Sequence, residues 1–244
     1  MNILLIAGHG QGDPGAVGNG YKEAELVREI ATSLKSKLSA YANVDLFDTS
    51  KNMYKYLKSG NTFNFKKYDY VFEIHFNAAA QDFKGNGKTT GTEILVHISE
   101  TGRAVETAIV NNIEALGFKN RGVKTRSDLQ NMNVCKKRQG VSYALLETCF
   151  VDDLDDIKLY MSKKDAVITA IANGIISGFK LGKTVAEEPK TEPIQELTTP
   201  NDIVWELSQR IEITNVQKAV SDLTEAMNKN SSCYWMLKKI ANKR

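Results

Sequence analysis

The sequence predicts an α/β fold: a twisted, mainly parallel sheet flanked by helices on both faces, plus a small C-terminal helical module. Three observations carry this. Short apolar runs at residues 3–6, 68–76, 92–98 and 143–150 have the length and the aromatic or branched content of buried strands. Segments with apolar residues at helical spacing alternate with them, the pattern of strands joined by covering helices. After Gly182 the chain turns rich in Glu, Lys and Thr and gathers Pro189, Pro193 and Pro200, the composition of a semi-extended linker.

The first run ends at Ala7-Gly8 and delivers His9 into a glycine-rich stretch containing Asp13-Pro14-Gly15. An apolar run closed by glycine reads as a buried strand turning into a tight loop. The carboxyl ends of such strands are where open α/β sheets hold ligands. Residues 22–40 then repeat Leu26, Ile30 and Leu34 on one side of a helix, joined by Val27, Ala31 and Leu38. A short strand at 44–47 and a helix at 52–58 come next. The strand at 68–76 runs into Asn77 and three alanines. Residues 81–91 are long and polar enough for a mobile lip over a site. A strand at 92–98 is followed by a helix at 104–116 bearing Val105, Ile109 and Ile113. Residues 121–133, with Arg121, Lys124 and Arg126, read as a loop. The last strand, 143–150, leads to Asp152, Asp153, Asp155 and Asp156, whose charge suits the start of a helix running to residue 181.

The expected organisation is a catalytic domain over 1–182, a linker over 183–199 and a helical accessory module over 200–244. A unit of that size sits near the limit at which a core alone is marginal. Its Trp205, Tyr234 and Trp235 suit either stacking on sugars or homo-oligomerisation. The net charge of +3 is too slight to demand nucleic acid. No run is long enough to span a bilayer, so no integral membrane association is expected. Cys135, Cys149 and Cys233 are odd in number and lack paired spacing, as free thiols made in a reducing compartment do. Residues 1–20 lack the basic and apolar regions of a signal peptide. The expectation is synthesis in the cytoplasm and action elsewhere after release.

Three histidines are present: His9, His75 and His97. His9 and His75 lie at or near the ends of separate strands, which converge on one edge of a parallel sheet. Glu23, just beyond the glycine-rich loop, can return over that edge; Glu25 shares its helix. Two histidines and a carboxylate leave a fourth tetrahedral position open, the ligand set of a catalytic zinc ion (Zn2+). Glu147 stands on an otherwise apolar strand, where a carboxylate is costly unless paired or near a metal. It suits a proton carrier that does not bind the metal. Glu73 shares a strand face with His75 and reads equally as support for the site or as structure. His97 reads as structural. Cys149, two residues beyond Glu147, reads as a pocket-lining residue.

These residues resemble the zinc-dependent N-acetylmuramoyl-L-alanine amidases of the type-3 class, which include autolysins and phage endolysins. The matching stretches are Gly8-His9-Gly10 with Asp13-Pro14-Gly15-Ala16, Glu23 at a helix start, Glu73-Ile74-His75-Phe76-Asn77-Ala78, and Leu146-Glu147-Thr148-Cys149-Phe150. Arg121-Gly122-Val123 and Asp128-Leu129 resemble a substrate-side loop. The resemblance covers residues 1–182 and favours Glu23 over Glu25. It implies zinc on His9, Glu23 and His75, with Glu147 as the catalytic carboxylate. Asn77 would lie near substrate; Arg121 and Arg126 are candidates to hold stem-peptide carboxylates. The implied substrate is peptidoglycan, cut between N-acetylmuramic acid and L-alanine. Cys149 and Asp152-Asp153 depart from the residues usual in the family at those places. A zinc peptidase cutting within the stem peptide and a non-catalytic wall-binding protein are the alternatives.

Overall fold

The computed structural model describes residues 1–183, 200, 203–204, 216–229 and 237. The chain forms two compact units, Met1–Ala186 and Glu187–Arg244. The first begins with β1 (Asn2–Ala7), a small hairpin of β2 (Val17–Gly18) and β3 (Tyr21–Lys22), and α1 (Glu23–Leu38). It continues through β4 (Asn43–Leu46), α2 (Met53–Lys58), β5 (Tyr70–Asn77), β6 (Thr92–His97), α3 (Ala104–Glu114) and β7 (Asn120–Arg126). A short α4 (Gln130–Met132) runs on as a π-helical turn (Asn133–Lys137) before β8 (Ser142–Phe150) and α5 (Leu154–Gly178).

The main sheet has the order β4-β1-β5-β8-β6-β7. Pairing is parallel from β4 through β8 and between β6 and β7; only β6 against β8 is antiparallel. That reversal follows from the chain itself. Residues 78–91 contain no helix, and parallel neighbours need a long crossover, so the chain comes back antiparallel.

Alternation along the strands builds two cores. Ile3, Leu5, Phe72, Ile74, Ala144 and Leu146 face α1, α3 and α5, meeting Leu34, Ile109 and Ile171 among others. Leu4, Ile6, Val71, Leu95 and Leu145 face the opposite way, onto Met53, Leu57, Phe65 and Met132. Each fully buried Leu or Ile contributes about 1.5–3 kcal/mol. Because both faces are covered, β1 reads as an unbroken apolar run rather than as an alternation.

Two expectations change. Arg121 to Arg126 is not loop but edge strand, although it carries no apolar alternation. The open edge of β6 supplies its backbone partners, and its charged side chains discourage pairing with another chain. Residues 81–91 are not a loose lip. Counting from Ala79, seven backbone N–H groups are bound by four aspartates that follow β8. Asp152 takes Ala79, Ala80 and Gln81; Asp155 takes Asn86 and Gly87; Asp153 takes Thr90; Asp156 takes Gly91. Asp153 also caps α5 through the N–H groups of Asp155 and Asp156.

In the second unit, α6 (Val216–Asn228) brings Leu223 into a small cluster with Ile203 and Val204. Most of the proposed linker, Trp205, Tyr234 and Trp235 lie outside the described residues. Among the described residues no helix is long and apolar enough to cross a membrane.

Candidate active site

The site forms at the carboxyl ends of β1, β5 and β8, on the sheet face opposite α1, α3 and α5. Beyond β1, Gly8 packs against the His75 ring; a Cβ there would lie 2.4 Å from His75 Cε1, so only glycine fits. His9 adopts φ 58°, a left-handed backbone that side chains rarely accept. Arg28 of α1 holds that turn, donating to the carbonyls of Gly8 at 3.1 Å and His9 at 3.0 Å. Asp13 faces His9 Nδ1 at 3.0 Å and is itself held by Asn52.

The glycine-rich loop then closes onto α1. The N–H groups of Glu23 and Ala24 donate to the carbonyls of Ala16 and Pro14, so loop backbone satisfies the first turn in place of a side-chain cap. Gly15, at φ 67°, passes so close that a Cβ would meet Glu23 Oε2 at 2.6 Å. This tight return puts the Glu23 carboxylate between two imidazoles. Oε2 faces His9 Nε2 at 3.1 Å, and Oε1 faces His75 Nδ1 at 2.8 Å. The N–H groups of Ala16 and Phe76 donate to the same carboxylate. One donor atom from each of His9, Glu23 and His75 lies within 4.8 Å of the others. Burial works against charge on Glu23, yet its bonds to His75 and His9 hold its carboxyl far below the usual range. Burial likewise opposes charge on His75, but Glu23 and Glu73 raise its pKa well above the ordinary value.

Glu147 on β8 stands opposite His75 in register. Its Oε2 is buried and has no hydrogen-bond partner among the described residues. Burial pushes its carboxyl up to about 7. On its other side Glu147 is in register with Glu93 of β6. Asn77 Nδ2 donates to Glu93 Oε1 at 3.2 Å and Arg121 Nε to Oε2 at 2.8 Å, and Lys124 pairs with the same oxygen. Asn77 and Arg121 thus meet beside Glu147. Arg126 does not join them: it forms a two-pronged pair with the exposed Asp128. A cavity of about 470 Å³ opens onto His9 and His75, with Tyr54, Asp128, Asn131 and Tyr143 in its wall.

Several of these residues escaped the sequence reading. Glu93 carries the signal that exposed Glu147, a carboxylate on an otherwise apolar strand. Arg28 carries no signal, because its role depends on where α1 packs. Glu25 is exposed and pairs with Lys22. His97 is buried beside Ser99. Cys149 does not line the pocket; an extra residue in β8 opposite residues 75–77 turns it into the helix-side core.

A family model described as N-acetylmuramoyl-L-alanine amidase matches residues 3–177, a span running from β1 into the last turn of α5. The chain belongs to this amidase family. Among curated relatives, it is 31% identical over 214 residues to the probable autolysin PH of Staphylococcus aureus. That alignment covers 81% of this chain and 43% of the relative. It is 30% identical over 182 residues to the endolysin of Bacillus phage SPP1, covering 72% and 64%. The chain therefore spans roughly half the length of these two relatives. A putative N-acetylmuramoyl-L-alanine amidase from Neisseria meningitidis superposes with TM-score 0.57 at 26% identity, over 75% of this chain and 97% of that one. The catalytic domain of the CD27L endolysin targeting Clostridia difficile shares the fold, with TM-score 0.56 at 24% identity over 72% of this chain and 97% of that one.

Two imidazoles and one carboxylate are the donor types that hold a catalytic zinc ion. The donor set fits such a metal: a single carboxylate faces both rings, and an unpartnered Glu147 oxygen waits beside them. A second cluster, Asp82, Asp153 and Asp155, is also compact. Its Asp153 and Asp155 oxygens already accept N–H groups from the 86–90 loop and α5, so it reads as a clamp.

Proposed function

We propose that this chain hydrolyses the amide between the lactyl group of N-acetylmuramic acid and L-alanine in bacterial peptidoglycan, using zinc held by His9, Glu23 and His75. The observation that carries the reading is the Glu23 carboxylate set between His9 Nε2 and His75 Nδ1, with the unpartnered Glu147 oxygen in register beside His75. Zinc supplies a Lewis acid for the amide carbonyl and lowers the pKa of water.

The chain's own groups do the rest. Glu147 takes a proton from the attacking water and gives it to the alanine nitrogen as the C–N bond breaks. A new C–O bond leaves a lactyl carboxylate, and the stem peptide departs with a free amino terminus. Burial raises that carboxyl, and the unpartnered oxygen leaves it free to take and return a proton. Arg121 donates to Glu93 through Nε and its guanidinium lies over the Phe150 ring, while its two terminal nitrogens make no hydrogen bond among the described residues. They and Asn77 receive the stem peptide beside Glu147, while Arg126 acts at the rim. The module from residue 200 onward serves wall anchoring or self-association. The site of action is the bacterial cell wall.

Purified peptidoglycan digested with and without a chelator, then examined by mass spectrometry, tests this. The expected products are stem peptides beginning at L-alanine and glycan without stems, with no new reducing ends. The chelator should stop their release and added zinc restore it. Cleavage inside the stem, or activity indifferent to chelation, would overturn the proposal.

A further inference from the structure

His75 has a second carboxylate partner that the reaction does not use. Glu73 lies two residues earlier on β5 and is 4% exposed. Its Oε1 faces His75 Nε2 at 3.0 Å. Asn131 Nδ2 reaches both Glu73 oxygens at 3.0 Å, and the Tyr143 hydroxyl donates to Oε2. Four partner contacts therefore saturate one buried carboxylate, drawn from β5, β8 and the segment of α4. A carboxylate is an expensive choice on a strand face that otherwise buries apolar side chains. Nothing in the packing requires it; Val71 fills the same face two residues earlier.

The two ring nitrogens of His75 are not equivalent. Nδ1 faces Glu23, the carboxylate that also faces His9. Nε2 faces Glu73, which touches neither Glu23 nor His9 through any hydrogen bond among the described residues. A ring that keeps its proton on Nε2 presents a bare lone pair at Nδ1. We infer that Glu73, braced by Tyr143 and Asn131, is a positioning residue: it holds the Nε2–H of His75 and so fixes the tautomer and ring angle that aim Nδ1 at the metal. Outer carboxylates of this kind raise metal affinity by about 10- to 100-fold. Sequence spacing also gives Glu73 a reason to stand where it does, since strand residues two apart share a face.

The inference rests on the zinc reading above, and its test separates the two. Zinc dissociation constants are measured by competition with a chromogenic chelator for the parent chain, Glu73→Gln, Tyr143→Phe and His75→Ala. Glu73→Gln should weaken zinc binding by about 10- to 100-fold. Tyr143→Phe, which removes one brace and keeps the volume, should weaken it less, and His75→Ala should weaken it most. In the zinc-loaded parent, long-range ¹H–¹⁵N spectra of His75 should show a proton on Nε2; that signal should broaden or shift in Glu73→Gln. A role confined to packing would lower the unfolding midpoint of the variants without moving either readout. If His75→Ala loses zinc while Glu73→Gln binds it as the parent does and keeps the same tautomer, the positioning role is wrong and the zinc site stands. If the parent binds no zinc, both fall.

Discussion

Acidic side chains gather in two places, and they are used in opposite ways. At the ends of β1 and β5, Glu23 spends its oxygens on two imidazoles and two N–H groups, and the nearby Glu147 oxygen has no hydrogen-bond partner among the described residues. After β8, Asp152, Asp153, Asp155 and Asp156 bind backbone N–H groups and hold the 79–91 segment against α5. Counting carboxylates does not separate a candidate reactive site from a structural clamp. The partners do: imidazoles on one side, backbone N–H groups on the other, while a buried carboxylate oxygen without a hydrogen-bond partner among the described residues occurs on both, Glu147 Oε2 and Asp82 Oδ2.

Four experiments can break or sharpen that contrast. The largest effect is expected at Glu147. Glu147→Gln should lower amide hydrolysis by about 10²- to 10⁴-fold while bound zinc stays at the parent stoichiometry. Wall lysis at the parent rate would remove Glu147 from the chemistry. Next comes Gly8→Ala, whose methyl would strike the His75 ring 2.4 Å away. A displaced ring should cost about 10²-fold in rate, with zinc lost more readily on dialysis against a chelator. If zinc retention and rate are both unchanged, the close approach does not set the ring.

On the clamp side, Asp153→Ala removes the α5 cap and the bond to Thr90. It should cost about 1–3 kcal/mol in denaturant unfolding and leave zinc affinity untouched. Added calcium should not move the parent's unfolding midpoint; stabilisation by calcium would make the clamp a cation site and erase the contrast. The smallest effect concerns pH. Burial pushes Asp156 up to about 6, although Gly91 and Phe150 donate N–H groups to it. Between the unfolded value near 4 and that folded value, the unfolded chain binds fewer protons at this position, so stability falls as pH rises. Asp156→Asn should flatten the decline between pH 4 and 6 in thermal unfolding; an unaltered slope would show that Asp156 ionises normally.

The sequence was informative where chemistry and periodicity coincide. β1, β5, β6 and β8 announce themselves as apolar runs, and α1 and α3 by their spacing. His9, His75 and Glu147 stand out because strand ends and an apolar strand are odd places for such side chains; Glu23 is marked by its place beyond the glycine-rich loop and by the family resemblance, and the fold brings all four together. β7 was illegible because an edge strand carrying Arg121, Lys124 and Arg126 has no buried face to impose alternation. The 81–91 segment was misjudged because its restraints come from Asp152 to Asp156, some seventy residues away. Cys149 was misplaced because one extra residue in β8 breaks the two-residue period.

By itself, then, the sequence picked out candidate residues for chemistry and the strands and helix that carry them, because side-chain type and local period are properties of short stretches. Only the tertiary structure decided how those groups are paired. Glu23 faces two histidines because the loop closes on α1 through Ala16 and Pro14. His75 has Glu73 behind it, and Glu93 rather than solvent holds Arg121, because neighbouring strands meet in one particular register. Register and loop closure are settled by contacts between segments far apart in the chain, which no local pattern records.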